Sequence, residues 1–249
     1  MPTMPEREAL FSRFFTSLSG HCCLGCEKRS TALICSSCMA LMPGKNTLRC
    51  VQCALPLASG TRCGACLKHP PFFDDSYAAW DFSAPASTLV KSFKFRQMPA
   101  LAKGFARHML GCLPEGFSVD FIIPVPLASS RIRQRGFNQA WVLSQELRRQ
   151  WSLKRSFSKT EELIPLPAAR WDLVSRVIDT PVQHSLDRAA RQANLRGAFL
   201  VHDPKMIKNK HVLLVDDVMT TAATLNELAR TVKNAGASRA SCLVVCRTA

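Results

Sequence analysis

The chain of 249 residues is 47% hydrophobic, which is enough to bury one or two cores and excludes a disordered protein. Its 33 Lys and Arg residues outnumber 18 Asp and Glu residues, which gives a formal charge of +15. That charge is typical of proteins that bind nucleic acid, phosphorylated ligands or acidic membrane surfaces, although a solvated basic face would give the same balance. No stretch approaches the roughly 20 apolar residues that cross a bilayer, so we predict no membrane span.

Residues 1–20 carry apolar side chains at helical spacing and predict a short docked helix. The apolar positions are Leu10, Phe11, Phe14, Phe15 and Leu18. Polar residues interrupt them, so the segment lacks the apolar run of a signal peptide. We therefore expect a cytoplasmic protein, in which reducing conditions keep the twelve cysteines out of disulfides.

Residues 21–71 are rich in cysteine and poor in apolar periodicity, which predicts a small module that needs metal to fold. Eight cysteines form four Cys-x-x-Cys pairs: Cys23 and Cys26, Cys35 and Cys38, Cys50 and Cys53, Cys63 and Cys66. Two residues between thiolates let both face one tetrahedral zinc ion, and two pairs complete a closed site. We predict a double zinc ribbon with two structural zinc ions, one on the first two pairs and one on the last two.

Several alternatives to this zinc arrangement remain open. The ligation of the pairs could interleave, Cys22 could replace Cys23, and four thiolates also suit an iron–sulfur cluster. Redox chemistry by one Cys-x-x-Cys pair would not need four copies. Because four thiolates leave no open position for water, we do not expect the metal to be catalytic.

Residues 72–249 change to apolar strands that alternate with amphipathic helices, and the turn at 70–75 marks the boundary. The pattern predicts one helix over 139–150 and a second helix, after residue 217, that Gly236 ends. It also predicts strands at Phe121–Ile123, His211–Val215 and Ser241–Cys246. Strands that alternate with helices predict an α/β fold of parallel βαβ units, with ligands at the carboxyl ends of the strands. We expect Cys242 and Cys246 in the core, and we leave the structure of 154–180 open.

The run after His211–Val215 carries the most chemical information. Asp216 and Asp217 close the strand, and small and hydroxyl residues lead into a helix: Thr220, Thr221, Ala222, Ala223 and Thr224. Free amides at a helix N-terminus bind phosphate, and carboxylates accept hydrogen bonds from vicinal sugar hydroxyls, so the run suits a ribose 5-phosphate. The alternative is that the acids only end the strand and that Thr224 caps the helix.

This run resembles the phosphoribosyl pyrophosphate motif of type I phosphoribosyltransferases, in which paired acids hold the ribose hydroxyls and the next loop holds the 5-phosphate. The resemblance implies a type I phosphoribosyltransferase-like parallel-sheet domain behind the zinc-binding module. One departure is Ala222, which stands where that family has glycine. Alanine at a left-handed backbone position costs on the order of 1 kcal/mol, so we expect a weakened or reshaped phosphate site.

Three further segments resemble the ComF family, which includes competence proteins and GntX-like proteins. They are 124–139, 183–199 and, more loosely, 92–96. The resemblance implies catalytic roles for Asp216, Asp217, Arg131 and Arg135, and ligand contacts for Lys94, Asn138, Gln139, Arg191 and Asn194. Arginine offers a planar fork to phosphate oxygens, and Asn or Gln can bind a base or sugar, whereas the alternative is an exposed basic face.

The aromatic residues of 92–96 allow two interpretations. Phe93 and Phe95 alternate with Lys94 and Arg96, which could stack single-stranded bases. The same alternation is equally typical of a half-buried strand.

The resemblance implies a protein of natural competence and DNA uptake. Its phosphoribosyltransferase fold would bind a phosphoribosyl pyrophosphate-type ligand with magnesium, and single-stranded DNA, beside a helicase-like partner. The alternative is an active phosphoribosyltransferase that transfers ribose 5-phosphate to an unidentified acceptor, with Arg131 and Arg135 neutralising the departing pyrophosphate. A third hypothesis is a regulator that senses phosphoribosyl pyrophosphate without reacting it.

Overall fold

The computed structural model describes residues 21–44, 47–156, 165–178 and 195–249. The predicted helix over 1–20 and the predicted ligand residues Arg191 and Asn194 lie outside these ranges. Across the described ranges, no helix combines the length and the apolar character that crossing a membrane requires.

The cysteine-rich segment contains only short elements, because few apolar residues are available there for a core. β1 (His21–Cys22) pairs antiparallel with β2 (Arg29–Ser30), and the two helices are α1 (Ser36–Ala40) and α2 (Gly64–Lys68). Each helix begins directly after a cysteine, Cys35 or Cys63. The second cysteine of that pair therefore lies in the first helical turn, close to the first.

Parallel strands form the central sheet of the larger domain: β3 (Asp75–Asp81), β4 (Phe121–Pro124), β5 (Ala168–Ala169), β8 (His211–Met219) and β9 (Arg239–Arg247). Their spatial order is β3-β9-β8-β4-β5, and every neighbouring pair is parallel. A separate antiparallel hairpin consists of β6 (Val174–Arg176) and β7 (Phe199–Val201). The predicted α/β fold with a parallel sheet is confirmed.

Hydrophobic cores lie on both faces of this sheet, and successive side chains of β8 point alternately into one core and the other. Val212 and Leu214 belong to one core, whereas Leu213 and Val215 belong to the other. The second core is completed by α3 (Ala86–Phe95), α4 (Leu101–Leu110) and α6 (Gln139–Ser156). The first is completed by α7 (Pro204–Ile207) and α8 (Ala223–Asn234). Helix α5 (Ser129–Arg135) follows β4 and has no buried residue.

The segment around Lys94 is helical, so its interpretation as a half-buried strand is wrong. Residues two apart share a face in a strand but point to nearly opposite sides of a helix. Phe93 is fully buried and packs edge-on against Phe105, whereas Phe95 is 65% exposed. The pattern was too short to separate the two periods.

The two halves of the cysteine module differ in their packing. Cys50, Cys53, Cys63 and Cys66 belong to the same buried cluster as the core residues of β8 and α8. The backbone amide of Ser76 in β3 also donates to the carbonyl oxygen of Val51 at 3.1 Å. The hydrophobic core therefore continues across the predicted boundary between residues 71 and 72.

Candidate functional site

The acid pair lies near the carboxyl end of β8, and Lys94 contacts it from the last turn of α3. The Asp217 carboxylate is buried, and its Oδ1 lies 2.8 Å from the Lys94 Nζ. The Asp217 backbone amide donates to Oδ1 of Asp216 at 2.8 Å. Burial raises the pKa of Asp216 to about 7; the charge of Asp217 adds to this rise, and the cations of Lys94 and Arg135 oppose it. Two carboxylates and two cations thus share one end of the sheet.

Arg135, the last residue of α5, supplies the second cation. Its Nη1 donates to Oε1 of Gln139 at 3.0 Å, and its guanidinium lies 5.4 Å from the centre of the Phe95 ring. Burial lowers the pKa of Arg135, while Asp217 raises it and the like charge of Arg131 lowers it further. Within the part of the chain that the structure describes, Arg135 Nε and Gln139 Nε2 are buried without a hydrogen-bond partner. Both are donors, and an anionic oxygen would satisfy them.

Asn138, another predicted ligand residue, has both ends of its side-chain amide bound within the protein. Its Oδ1 accepts hydrogen bonds from the backbone amides of Ala140 and Trp141 at 2.9 and 3.4 Å. Its Nδ2 donates to the carbonyl oxygen of Val125 at 3.1 Å. Asn138 therefore caps the N-terminus of α6 and fixes it to the loop after β4.

The predicted phosphate loop joins β8 to α8. Ala222 adopts φ +62° and ψ 3°, the left-handed conformation that glycine occupies without strain. Ala222 occupies the N-cap position of α8 and offers no capping side chain, and Thr224 lies inside the helix, so the interpretation of Thr224 as a cap is wrong. The backbone amides of Thr220, Thr221 and Ala222 donate to no acceptor among the described residues. These open amides are what an anion at a helix N-terminus requires.

Arg247, at the end of β9, is a residue that the sequence analysis missed. It is 7% exposed; its Nε donates to the carbonyl oxygen of Cys53 at 2.8 Å, and its Nη1 donates to the carbonyl oxygens of Met219 and Thr220. A lone arginine directly after the apolar run of β9 was the available signal, because a charge that ends a buried strand needs a partner. Arg247 thus connects the cysteine module to the start of the phosphate loop.

A groove of about 700 Å³ is lined by residues of the cysteine module and of the phosphate loop. Its lining residues include Cys63 and Cys66 of the cysteine module, Thr220 and Ala222 of the phosphate loop, and Arg247. Its volume lies in the range of small-molecule sites. Asp216, Asp217, Lys94 and Arg135 are not among its lining residues, so the groove and the acid pair are separate parts of the site.

The eight predicted metal ligands form two separate tetrads: Cys23, Cys26, Cys35 and Cys38, then Cys50, Cys53, Cys63 and Cys66. The sulfur atoms of each tetrad lie within 4.8 Å of one another. Cys26 and Cys35 are 3.8 Å apart, and Cys53 and Cys63 are 3.6 Å apart, close to the roughly 3.8 Å that zinc–sulfur bonds of about 2.3 Å imply. The two tetrads do not interleave along the chain, and Cys22 belongs to neither of them.

The environment of the thiols also suits a metal. Burial opposes ionisation of Cys23, but the amides of Cys35 and Gly25 donate to its sulfur and lower its pKa to about 6. In the second tetrad, burial likewise opposes ionisation of Cys50, and the amides of Cys53 and Cys63 lower its pKa to about 7. Crowded sulfurs with amide donors are the surroundings in which thiolates bind a divalent cation.

Comparison with known proteins identifies the class first. Residues 135–249 match the family model described as the phosphoribosyl transferase domain. The parallel sheet, with its acid pair and open loop, agrees with that match, so the larger domain is of the phosphoribosyltransferase type.

The family follows from relatives that match most of the chain. DNA utilization protein YhgH of Escherichia coli O6:H1 is 34% identical over 224 residues, covering 86% of this chain and 90% of that protein. Competence protein F of Haemophilus influenzae is 33% identical over 217 residues, covering 82% and 85%. The chain therefore belongs to the ComF family of competence and DNA utilization proteins, as its sequence motifs implied.

Solved structures show more distant likeness. Glutamine phosphoribosylpyrophosphate amidotransferase from B. subtilis is 12% identical with a TM-score of 0.37, covering 61% of this chain and 30% of its own. The allosteric regulatory enzyme of purine biosynthesis is 14% identical with a TM-score of 0.36, covering 62% and 30%. The chain thus matches less than a third of either enzyme.

Proposed function

We propose that this protein binds a phosphoribosyl ligand of the phosphoribosyl pyrophosphate type, together with magnesium, during the handling of DNA. One observation carries the proposal: the acid pair lies near the end of one buried strand and the open loop follows it. Close to the acids, Arg135 and Gln139 each have a buried donor without a partner among the described residues. Carboxylates suit ribose hydroxyls, open amides suit a 5-phosphate, and cations suit a pyrophosphate.

Each group has a distinct task in this proposal. Asp216 and Asp217 accept hydrogen bonds from the ribose hydroxyls, and the amides of 220–222 hold the 5-phosphate. Arg135 and Lys94 neutralise the pyrophosphate, for which Lys94 leaves its ion pair with Asp217. The charge of Arg131 lies close enough to lower the pKa of Arg135, and it adds to the positive potential around the pyrophosphate. Magnesium would neutralise ligand oxygens, and zinc in both tetrads would hold the cysteine module together.

Calorimetric titration of zinc-loaded protein with phosphoribosyl pyrophosphate and Mg²⁺ tests the ribose site. Asp216→Asn/Asp217→Asn should abolish the binding heat. Asp120→Asn is the matched control, because Asp120 pairs with Lys210 at the opposite end of β8. Equal affinity of the double variant and the wild type would refute the proposed roles of the acids.

The link to DNA comes from the relatives, whose names refer to DNA utilization and competence, and from the charge of +15. We infer that the protein also binds single-stranded DNA, and the helicase-like partner stays part of this proposal. The affinity for an oligonucleotide should fall steeply when the salt concentration rises from about 50 to about 200 mM, because binding to phosphates releases counterions from the DNA. Affinity independent of salt would contradict a phosphate-backbone contact.

Phosphoribosyl transfer is the second candidate function. Ala222 holds the left-handed conformation despite its methyl group, so the replacement of glycine leaves the backbone of the loop formed. An acceptor screen for pyrophosphate release separates the two functions. Release that requires Asp216 and Asp217 would support the enzyme, whereas tight binding without release would support a binding protein.

A further inference from the structure

Arg247 is a buried cation whose hydrogen bonds all go to neutral oxygens. Among the described residues its donors contact main-chain carbonyl oxygens and the Thr248 hydroxyl, and it forms no ion pair with a carboxylate. Burying an uncompensated guanidinium is costly, so a buried arginine normally has a nearby negative charge. The second cysteine tetrad provides one, because Zn²⁺ with four thiolates carries a net charge of about −2.

The contacts of Arg247 join the cysteine module to the phosphate loop, and both of these parts line the groove. Nε binds the carbonyl oxygen of Cys53, a member of the second tetrad, while Nη1 binds the carbonyl oxygens of Met219 and Thr220. Of the hydrogen bonds between described residues, those of Arg247 alone link residues 47–69 to the loop 219–222. Arg247 therefore links the loop to Cys53 by hydrogen bonds from two nitrogens of its guanidinium group.

We propose that Arg247 positions the phosphate loop relative to the second cysteine tetrad, so that metal binding at this tetrad and anion binding at the loop are coupled. The anion is the 5-phosphate of the proposed function, on which this inference rests. Because coupling between two sites is reciprocal in affinity, metal loss weakens the anion site and a bound anion tightens metal binding. We expect the tighter binding to slow the release of the metal. Arg247 acts through the backbone of Met219 and Thr220 and does not itself contact the ligand.

Zinc release tests the coupling directly. The full-length variant Cys26→Ser/Cys35→Ser lacks two ligands of the first tetrad, so that a chromogenic chelator reports zinc from the second alone. Saturating phosphoribosyl pyrophosphate with Mg²⁺ should slow this release by about tenfold. Arg247→Met and Arg247→Lys, each added to that variant, should still bind zinc but lose the slowing. The lysine variant keeps the charge, but one nitrogen cannot span both sets of carbonyls.

A second measurement needs no ligand. Hydrogen exchange over 219–229, the loop and first turns of α8, should accelerate at least several-fold when zinc leaves the second tetrad. Arg247→Lys should show the same acceleration with zinc still bound. The cysteines of the first tetrad lie outside the core cluster that contains the second tetrad and α8. Release of metal from the first tetrad should therefore leave this exchange unchanged.

The outcomes separate this inference from the proposed function. Absence of binding by the wild type refutes the ligand, and hydrogen exchange then decides the coupling alone. If the ligand binds yet zinc release is unchanged, or if Arg247→Lys retains the slowing, Arg247 does not couple the sites. Exchange over 219–229 that is insensitive to both zinc and Arg247 overturns the inference whether or not the ligand binds.

Discussion

Asp216 is placed where its charge is unfavourable in the free protein. Burial and the neighbouring Asp217 raise its pKa to about 7, above the usual value of 3.8. A group with a raised pKa contributes stability below its unfolded pKa, and this contribution is lost as the pH rises through 7. The cost fits a residue kept for binding, since buried charges at functional sites commonly reduce stability.

We therefore expect Asp216→Asn to stabilise the free protein, because it removes a buried charge. The gain should grow between pH 4 and 7 and stay level above pH 7, reaching roughly 1–3 kcal/mol. Urea unfolding across this pH range measures it. Asp120→Asn is the control with the opposite sign, because Lys210 and the His211 amide lower the pKa of Asp120 despite its partial burial. A gain that is equal at pH 4 and pH 8 would contradict the raised pKa.

The backbone of Ala222 gives a second test at this scale. Its φ of +62° is strained for alanine and free of strain for glycine. Ala222→Gly should raise the free energy of unfolding by about 1 kcal/mol and leave the loop geometry unchanged. Ala235→Gly, at the other end of α8 with φ −78°, should lower it instead. Destabilisation by both substitutions would show that Ala222 is not strained.

Among the elements, Asn138 illustrates how a family motif can contain structural residues. It was predicted as a ligand residue, yet its side chain caps α6. Asn138→Ala should lower the free energy of unfolding by about 1 kcal/mol, and Asn138→Ser should recover part of the loss because its hydroxyl can still cap. Chemical denaturation measures both changes. An alanine variant of unchanged stability but weakened ligand affinity would restore Asn138 to the ligand set.

The elements that the sequence predicted best have long apolar runs. An apolar run predicted β8, the acids and small residues after it predicted the loop, and the amphipathic pattern that follows predicted α8. Cys242 and Cys246 are buried in β9, as expected. Segments with weak periodicity were not predictable. β5 and β6 span two and three residues, too few to show a period, and their pairing is set by contacts with β4 and β7.

Parts of the site depend on contacts distant in sequence, and sequence patterns do not reveal such contacts. Lys94 meets Asp217 only because α3 and β8 border the same end of the sheet. The interaction of Arg247 with Cys53 spans 194 residues. By contrast, the composition of each cysteine tetrad was predictable, since the Cys-x-x-Cys spacing is local and pairs adjacent in sequence come together in space.

At the scale of the whole molecule, the two tetrads differ in their burial and in their packing against the larger domain. All four cysteines of the second are buried in a cluster shared with β8 and α8, whereas Cys26 of the first is exposed. Zinc binding would be coupled to folding at both tetrads, but of the two, among the described residues, only the second has its cysteines in a core cluster of the larger domain. The first module contacts the larger domain through Met42 and through partly buried side chains such as Leu33 and Met39. We therefore expect loss of its metal to disturb the larger domain less than loss of metal from the second tetrad.

Two cysteine substitutions should separate these roles. Cys26→Ser should release one zinc ion per chain and unfold the first module, while the main thermal transition keeps its midpoint within a few degrees. Cys53→Ser should also release one zinc ion, but it should lower the main midpoint by ten degrees or more, because a core cluster loses its metal and leaves buried polar sulfurs. Zinc quantification beside calorimetry measures both. Equal midpoints for the two variants would mean that the second tetrad, like the first, is peripheral to the fold of the larger domain.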